Sequence, residues 1–180
     1  MEAAIRIIDA INYRIGRTVM WLAVLLAIVQ FAVVILRYVF SIGFIPMQES
    51  IWYMSGILFM TGAGFTLLAN GHVRVDVFYR EAKGRVKAWV DVLGGLFFLM
   101  PVCVATLVLS DTYVLNSWRV LEGSTETSGI QGIFLLKTFI WVFAIVVGLQ
   151  GIALILRGIR FLKGETPEYK AGGITGVTGE

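Results

Sequence analysis

Four long apolar runs, at about residues 18–40, 50–70, 86–110 and 133–156, constrain this chain more than any other feature. Each reaches or exceeds the ~20 residues that a helix needs to cross the hydrocarbon core of a bilayer. Composition agrees, with 58% hydrophobic and 15% charged residues, where a soluble domain carries about a quarter charged. The expected fold is an all-α integral membrane protein with four transmembrane helices. No separate soluble domain fits between the runs. Nucleic-acid binding is excluded too, because no basic stripe with interleaved aromatics is present.

Residues 1–17 mix isoleucines with Arg6, Asp9, Asn12, Arg14 and Arg17. Ile8, Ile11 and Ile15 fall on one helical face, which predicts an amphipathic interfacial helix feeding the first span. A cleaved signal peptide is the rival reading, with an apolar core of ~7–15 residues and a small-residue cleavage site. Here Thr18 to Leu36 is longer and is followed by bulky Arg37-Tyr38-Val39-Phe40. An uncleaved span is expected. Residues 18–163 then form the four-helix membrane domain, and the Gly-, Thr- and Glu-rich residues 164–180 form a mobile tail.

Four spans put both termini on one side. Three basic residues lie in the N-terminal segment, five in the 71–87 connector and four after Leu156, twelve of the fifteen in the chain. Arg37, Arg119 and Lys137 are the rest. The positive-inside rule therefore predicts cytoplasmic termini and a cytoplasmic central connector. The opposite-side connectors are the short Ser41 to Glu49, with Pro46, and the long Asp111 to Gly132. A loop of that length without strong secondary structure is usually functional or a docking surface. Part of it, Tyr113 to Leu121, is expected as a short helix at the interface.

The most charged connector is Gly71-His72-Val73-Arg74-Val75-Asp76-Val77, holding the only histidine. His72, Arg74 and Asp76 alternate with valines, a period-2 pattern that argues against a continuous amphipathic helix. The second span is expected to end at Asn70-Gly71, which tolerate a helix-ending conformation. Asp76 is then placed to cap a new helix from Val77. Gly71, His72, Arg74 and Asp76 are expected to hold this turn in one shape.

Chemistry inside the membrane needs ionisable residues there, and the span centres are nearly free of them. Gln30, Thr61, Thr66, Thr106 and Gln150 are the notable polar side chains, and such groups more often bond between packed helices than bind a substrate. Arg37, Asp91 and Lys137 lie near span ends. Glycines such as Gly148 and Gly151 allow close helix approach, and Pro101 is expected to bend the third span. No enzyme motif is present. His72 alone makes no metal site, the spans lack axial histidines for a haem, and Cys103 has no partner for an internal disulfide.

Gly71-His72-Val73-Arg74-Val75-Asp76 after the second span resembles the small membrane subunit of tripartite ATP-independent periplasmic (TRAP) transporters, the DctQ-like family. Arg37-Tyr38-Val39-Phe40 and the Pro46 to Glu49 stretch are similar to the same family, and the resemblance covers nearly the whole chain. Many members have a tryptophan and paired acids before the second span. Here Met47-Gln48-Glu49 stands instead, with Glu49 as the counterpart. Leu121-Glu122-Gly123-Ser124, Lys137 and Leu149-Gln150-Gly151 look like the branch found with transporters of 2-oxoacids and other organic monocarboxylates.

The resemblance implies a small permease subunit without cofactor of its own. A large membrane subunit would bind substrate and sodium ions, and a soluble periplasmic protein would deliver the substrate. The small chain would act as scaffold in the cytoplasmic (inner) membrane of a bacterium or archaeon. Arg37, Glu49 and Lys137 are then expected at a subunit or lipid interface. Arg119, Glu122 and Glu126 are expected on the surface met by the binding protein, since a charged rim steers encounter. The alternative is a membrane anchor or assembly subunit of another complex.

Overall fold

The structure is a computed structural model that describes residues 1–72, 79 and 81–174. Four helices long and apolar enough to cross a membrane make up the described chain: α1 (Glu2–Tyr38), α2 (Ile45–Leu68), α3 (Gly84–Arg119) and α4 (Ile133–Leu162). No strand occurs among the described residues. Helix α4 is the hub. It packs on each of the other three, α2 packs against α1, and α3 lies along the other flank of α4.

Small residues explain why α4 takes that place. Its buried positions include Ala144, Gly148, Gly151, Ala153 and Gly158, and in lipid such residues let backbones approach closely. The register against α3 is antiparallel: Gly148 faces Cys103, Gly151 faces Leu99, and Gly158 faces Val92. A Cβ at Gly158 would overlap Val92. Cys103, Val146 and Val147 form the buried centre, with Ile15, Ala63 and Leu67 packed around it.

Each helix outruns its expected span. The 37 residues of α1 reach about 55 Å at 1.5 Å per residue, well beyond the ~30 Å hydrocarbon core. The expected amphipathic segment 1–17 is continuous with the first span, not a separate helix. Its inward stripe also differs from the isoleucine face. Ile5, Asn12 and Gly16 are buried and Ile8 and Ile15 half-buried, whereas Ile11 is exposed. The stretch expected as a short interfacial helix, Tyr113 to Leu121, is instead the end of α3, which runs on to Arg119.

Within α3 the α-helical Gly84–Gly94 and Met100–Arg119 flank a π-helical turn, Gly95–Leu99. Pro101 is the second residue after that turn. Proline cannot donate to the preceding turn and its ring crowds the carbonyl four residues back, and a π-turn is one way a helix absorbs such an interruption. The Met100 N–H reaches Gly95 O across this turn. Three spans are bracketed by charges twenty residues apart: Arg17 and Arg37, Asp91 and Asp111, Lys137 and Arg157. That spacing is about 30 Å of helix, the thickness of the hydrocarbon core.

Candidate functional site

The bundle concentrates its polar chemistry at two ends. At one, the start of α2 and α4 and the end of α3 meet under the loop 120–132. Glu49 and Tyr53 stand one turn apart on α2 and grip the backbone of a single residue, Ile130. The Ile130 N–H donates to Glu49 Oε2 at 2.6 Å, and Tyr53 Oη donates to the Ile130 carbonyl at 3.1 Å. The Ser124 hydroxyl donates to the other Glu49 oxygen. A Cβ at Gly129 would collide with Ser124 Oγ and Glu49 Oε1, so the loop closes this tightly only over a glycine.

Lys137 sits beside this grip. It donates to Glu122 and lies over the Tyr113 ring, with Nζ 4.0 Å from the centroid. That hydrogen bond holds the Glu122 carboxyl below the usual carboxylate range. Trp118 Nε1 donates to Thr138 Oγ1 at 2.8 Å, and its ring meets Phe134 edge-on at 4.7 Å. The loop is thus a folded cap whose charges divide into two sets. Glu49, Glu122 and Lys137 are engaged within the chain, while Arg119 and Glu126 are exposed. Arg119 reaches only as far as Asn116 Oδ1, at 3.3 Å. Arg37 is exposed at the end of α1.

At the opposite end lies a polar cluster that the sequence reading missed. Asp9 Oδ1 accepts from Arg157 Nη2 and from Gln150 Nε2, the latter at 3.1 Å. Asn12 Nδ2 donates to Gln150 Oε1 at 3.0 Å. Asn12 Oδ1 is buried without a hydrogen-bond partner among the described residues and rests against Gly64, where a Cβ would overlap it. Asp9, Asn12 and Gly16 recur at helical spacing along the inward stripe of α1, which was the available signal. The expectation that span polar groups bond between helices holds for Gln150. Thr61, Thr66 and Thr106 instead donate to carbonyls of their own helices, Ile57, Gly62 and Val102.

The tail expected to be mobile folds back onto this end as far as Ile174. Arg157 Nη1 donates to Ala171 O at 3.0 Å, and the Gly173 N–H donates to Leu68 O at 2.9 Å. Tyr169 Oη donates to Asp91 Oδ2 at 2.6 Å, as does Tyr79 Oη. The Tyr169 ring lies 5.4 Å from Phe161. One short segment therefore touches α2, α3 and α4.

Helix α2 stops at Leu68, and Asn70-Gly71 close it. Asn70 is left-handed, φ 57. Its N–H reaches Leu67 O at 3.1 Å and that of Gly71 reaches Thr66 O at 2.8 Å, the paired closure of a Schellman motif. His72 lines a concavity of about 480 Å³ with Tyr79 and Asp91. Arg74 and Asp76, and the proposed helix start at Val77, lie outside the described residues. No group of three or more potential metal ligands occurs among the described residues.

Four helices long and apolar enough to cross a bilayer define a multi-pass membrane protein. Residues 26–164 match the family model of tripartite ATP-independent periplasmic transporters, DctQ component, and the chain belongs to that family. It is thus a transporter component, as the His72 motif and its placement implied. No curated protein and no solved structure matches the chain significantly.

Proposed function

We propose that this chain is the small permease subunit of a sodium-coupled, binding-protein-dependent secondary transporter for organic acids. It acts as the scaffold for a large transport subunit that carries the substrate and sodium sites, and it helps to dock the periplasmic binding protein. The observation that carries the scaffold role is Gln30, which is exposed on α1 between Arg17 and Arg37, two helical turns from the latter. A primary amide facing hydrocarbon lacks hydrogen-bond partners, so a neighbouring protein is the fitting cover for that face. The apolar span centres leave no polar path through the chain itself. Arg119 and Glu126 remain free of the loop's internal grip and are the charges available for steering a soluble partner. The loop sequence around Glu122 supports 2-oxoacids or other monocarboxylates as the substrate class.

The test is reconstitution. The full chain should co-purify with a large multi-span protein, and sodium-dependent uptake of a 2-oxoacid should require both chains and a binding protein. Gln30→Leu should weaken that association by about 0.6–1.7 kcal/mol while raising the thermal midpoint of the isolated chain. Uptake by this chain alone, or a stable complex without transport activity, overturns the proposal.

A further inference from the structure

A groove of about 950 Å³ runs between α1 and α2, next to the bundle end where Ile174 lies. Its floor forms because the Phe65 ring lies directly on Gly16, where a Cβ would overlap it. Its length is opened by Gly62, at which a Cβ meets nothing within 4 Å. Met20 and Phe59 flank it and are 52% and 72% exposed. The mouth carries Arg17, whose guanidinium lies 5.9 Å from the Tyr13 ring centroid. Arg14, also exposed, precedes it by one helical turn. No carboxylate lines the groove among the described residues.

We infer that this groove holds one anionic glycerophospholipid, an acyl chain lying along Gly62 and the phosphate meeting Arg17. Any outward apolar face is wetted by lipid tails, and that alone selects no headgroup. Here an apolar slot ends at a cation, Arg17, which with Arg37 brackets a hydrocarbon-thick stretch of α1. A headgroup of net negative charge at that level answers the guanidinium, whereas the phosphate of a zwitterionic lipid is offset by its own ammonium. Each basic group near the membrane surface favours an anionic lipid by about fivefold.

The full chain, alone and with its large partner, is equilibrated in detergent with equal amounts of phosphatidylglycerol and phosphatidylcholine. Native mass spectrometry then counts the lipids retained. One phosphatidylglycerol should be kept, preferred about fivefold over phosphatidylcholine. Arg17→Ala, an exposed position, should bring the two lipids to parity. Gly62→Leu fills the open slot and should abolish retention at an unchanged thermal midpoint. Parity in the unmodified chain, or undiminished retention in Gly62→Leu, overturns the inference. So does a phosphatidylglycerol kept by the isolated chain but absent from the complex, which would mean that the partner protein covers the groove.

Discussion

At the scale of single residues, the side chains that matter most are paired across long stretches of chain. Asp9 and Arg157 are only 23% and 12% exposed, and Arg157 also secures Ala171 O. Asp9→Ala leaves the guanidinium partly buried without its counter-charge. Thermal unfolding in detergent should show a loss of about 1–3 kcal/mol, and Asp9→Asn, which keeps an acceptor, should lose less. Equal losses would mean that packing, not the ion pair, holds this end. Glu122 answers to pH. Its folded-state pKa is depressed by the hydrogen bond from Lys137, so its contribution is complete above the ordinary carboxylate value of ~4.3. That contribution is lost as pH falls through the lower folded value. The thermal midpoint should therefore drop on acidification below ~4 in the unmodified chain, and the drop should shrink in Lys137→Met. Matching acid limbs in the two proteins would remove Lys137 as the cause.

At the scale of elements, the helices end where hydrogen-bond closure allows, not where the apolar runs stop. Helix α2 closes on left-handed Asn70, and α4 closes on Gly164 at φ 78 with Glu165 N–H on Arg160 O. Asn70-Gly71 was legible because few residue types accept that backbone. The extension of α3 to Arg119 was not. Its last turns are polar outside but are held by Trp118 on Thr138 and Tyr113 on Lys137, contacts with a helix that begins later in the chain. The tail is a similar case. Its Gly-, Thr- and Glu-rich composition is that of a solvated segment, yet it donates to the free carbonyl of Leu68. Ending the chain after Lys163 removes the Gly173, Ala171 and Tyr169 bonds, each worth about 0.5–1.5 kcal/mol. The truncated protein should unfold at lower temperature and exchange amide hydrogen faster at the end of α2. Unchanged exchange there would show that the tail is only loosely apposed.

At the scale of the whole molecule, contacts place the N-terminal turns of α1, the end of α2, the start of α3 and the end of α4 together. Ten of the thirteen described basic residues belong to the segments at that end. The expected orientation puts it in the cytoplasm. A cysteine at Lys83 should then react only with reagents that cross the membrane, and one at Ser124 should react from outside. Reversed labelling would invert the protein in the bilayer. The number of spans, their apolar centres and the charge bias follow from the sequence alone, because burial in hydrocarbon acts on each segment separately. The family motif after the second span was equally local. What only the tertiary structure decided is which polar groups meet. Asp9 finds Arg157 and Glu49 finds Ile130 across 148 and 81 residues of chain. No periodicity within one helix encodes a partner on another. That choice rests on the small-residue face of α4, which sets how closely and in what register the other helices pack around it.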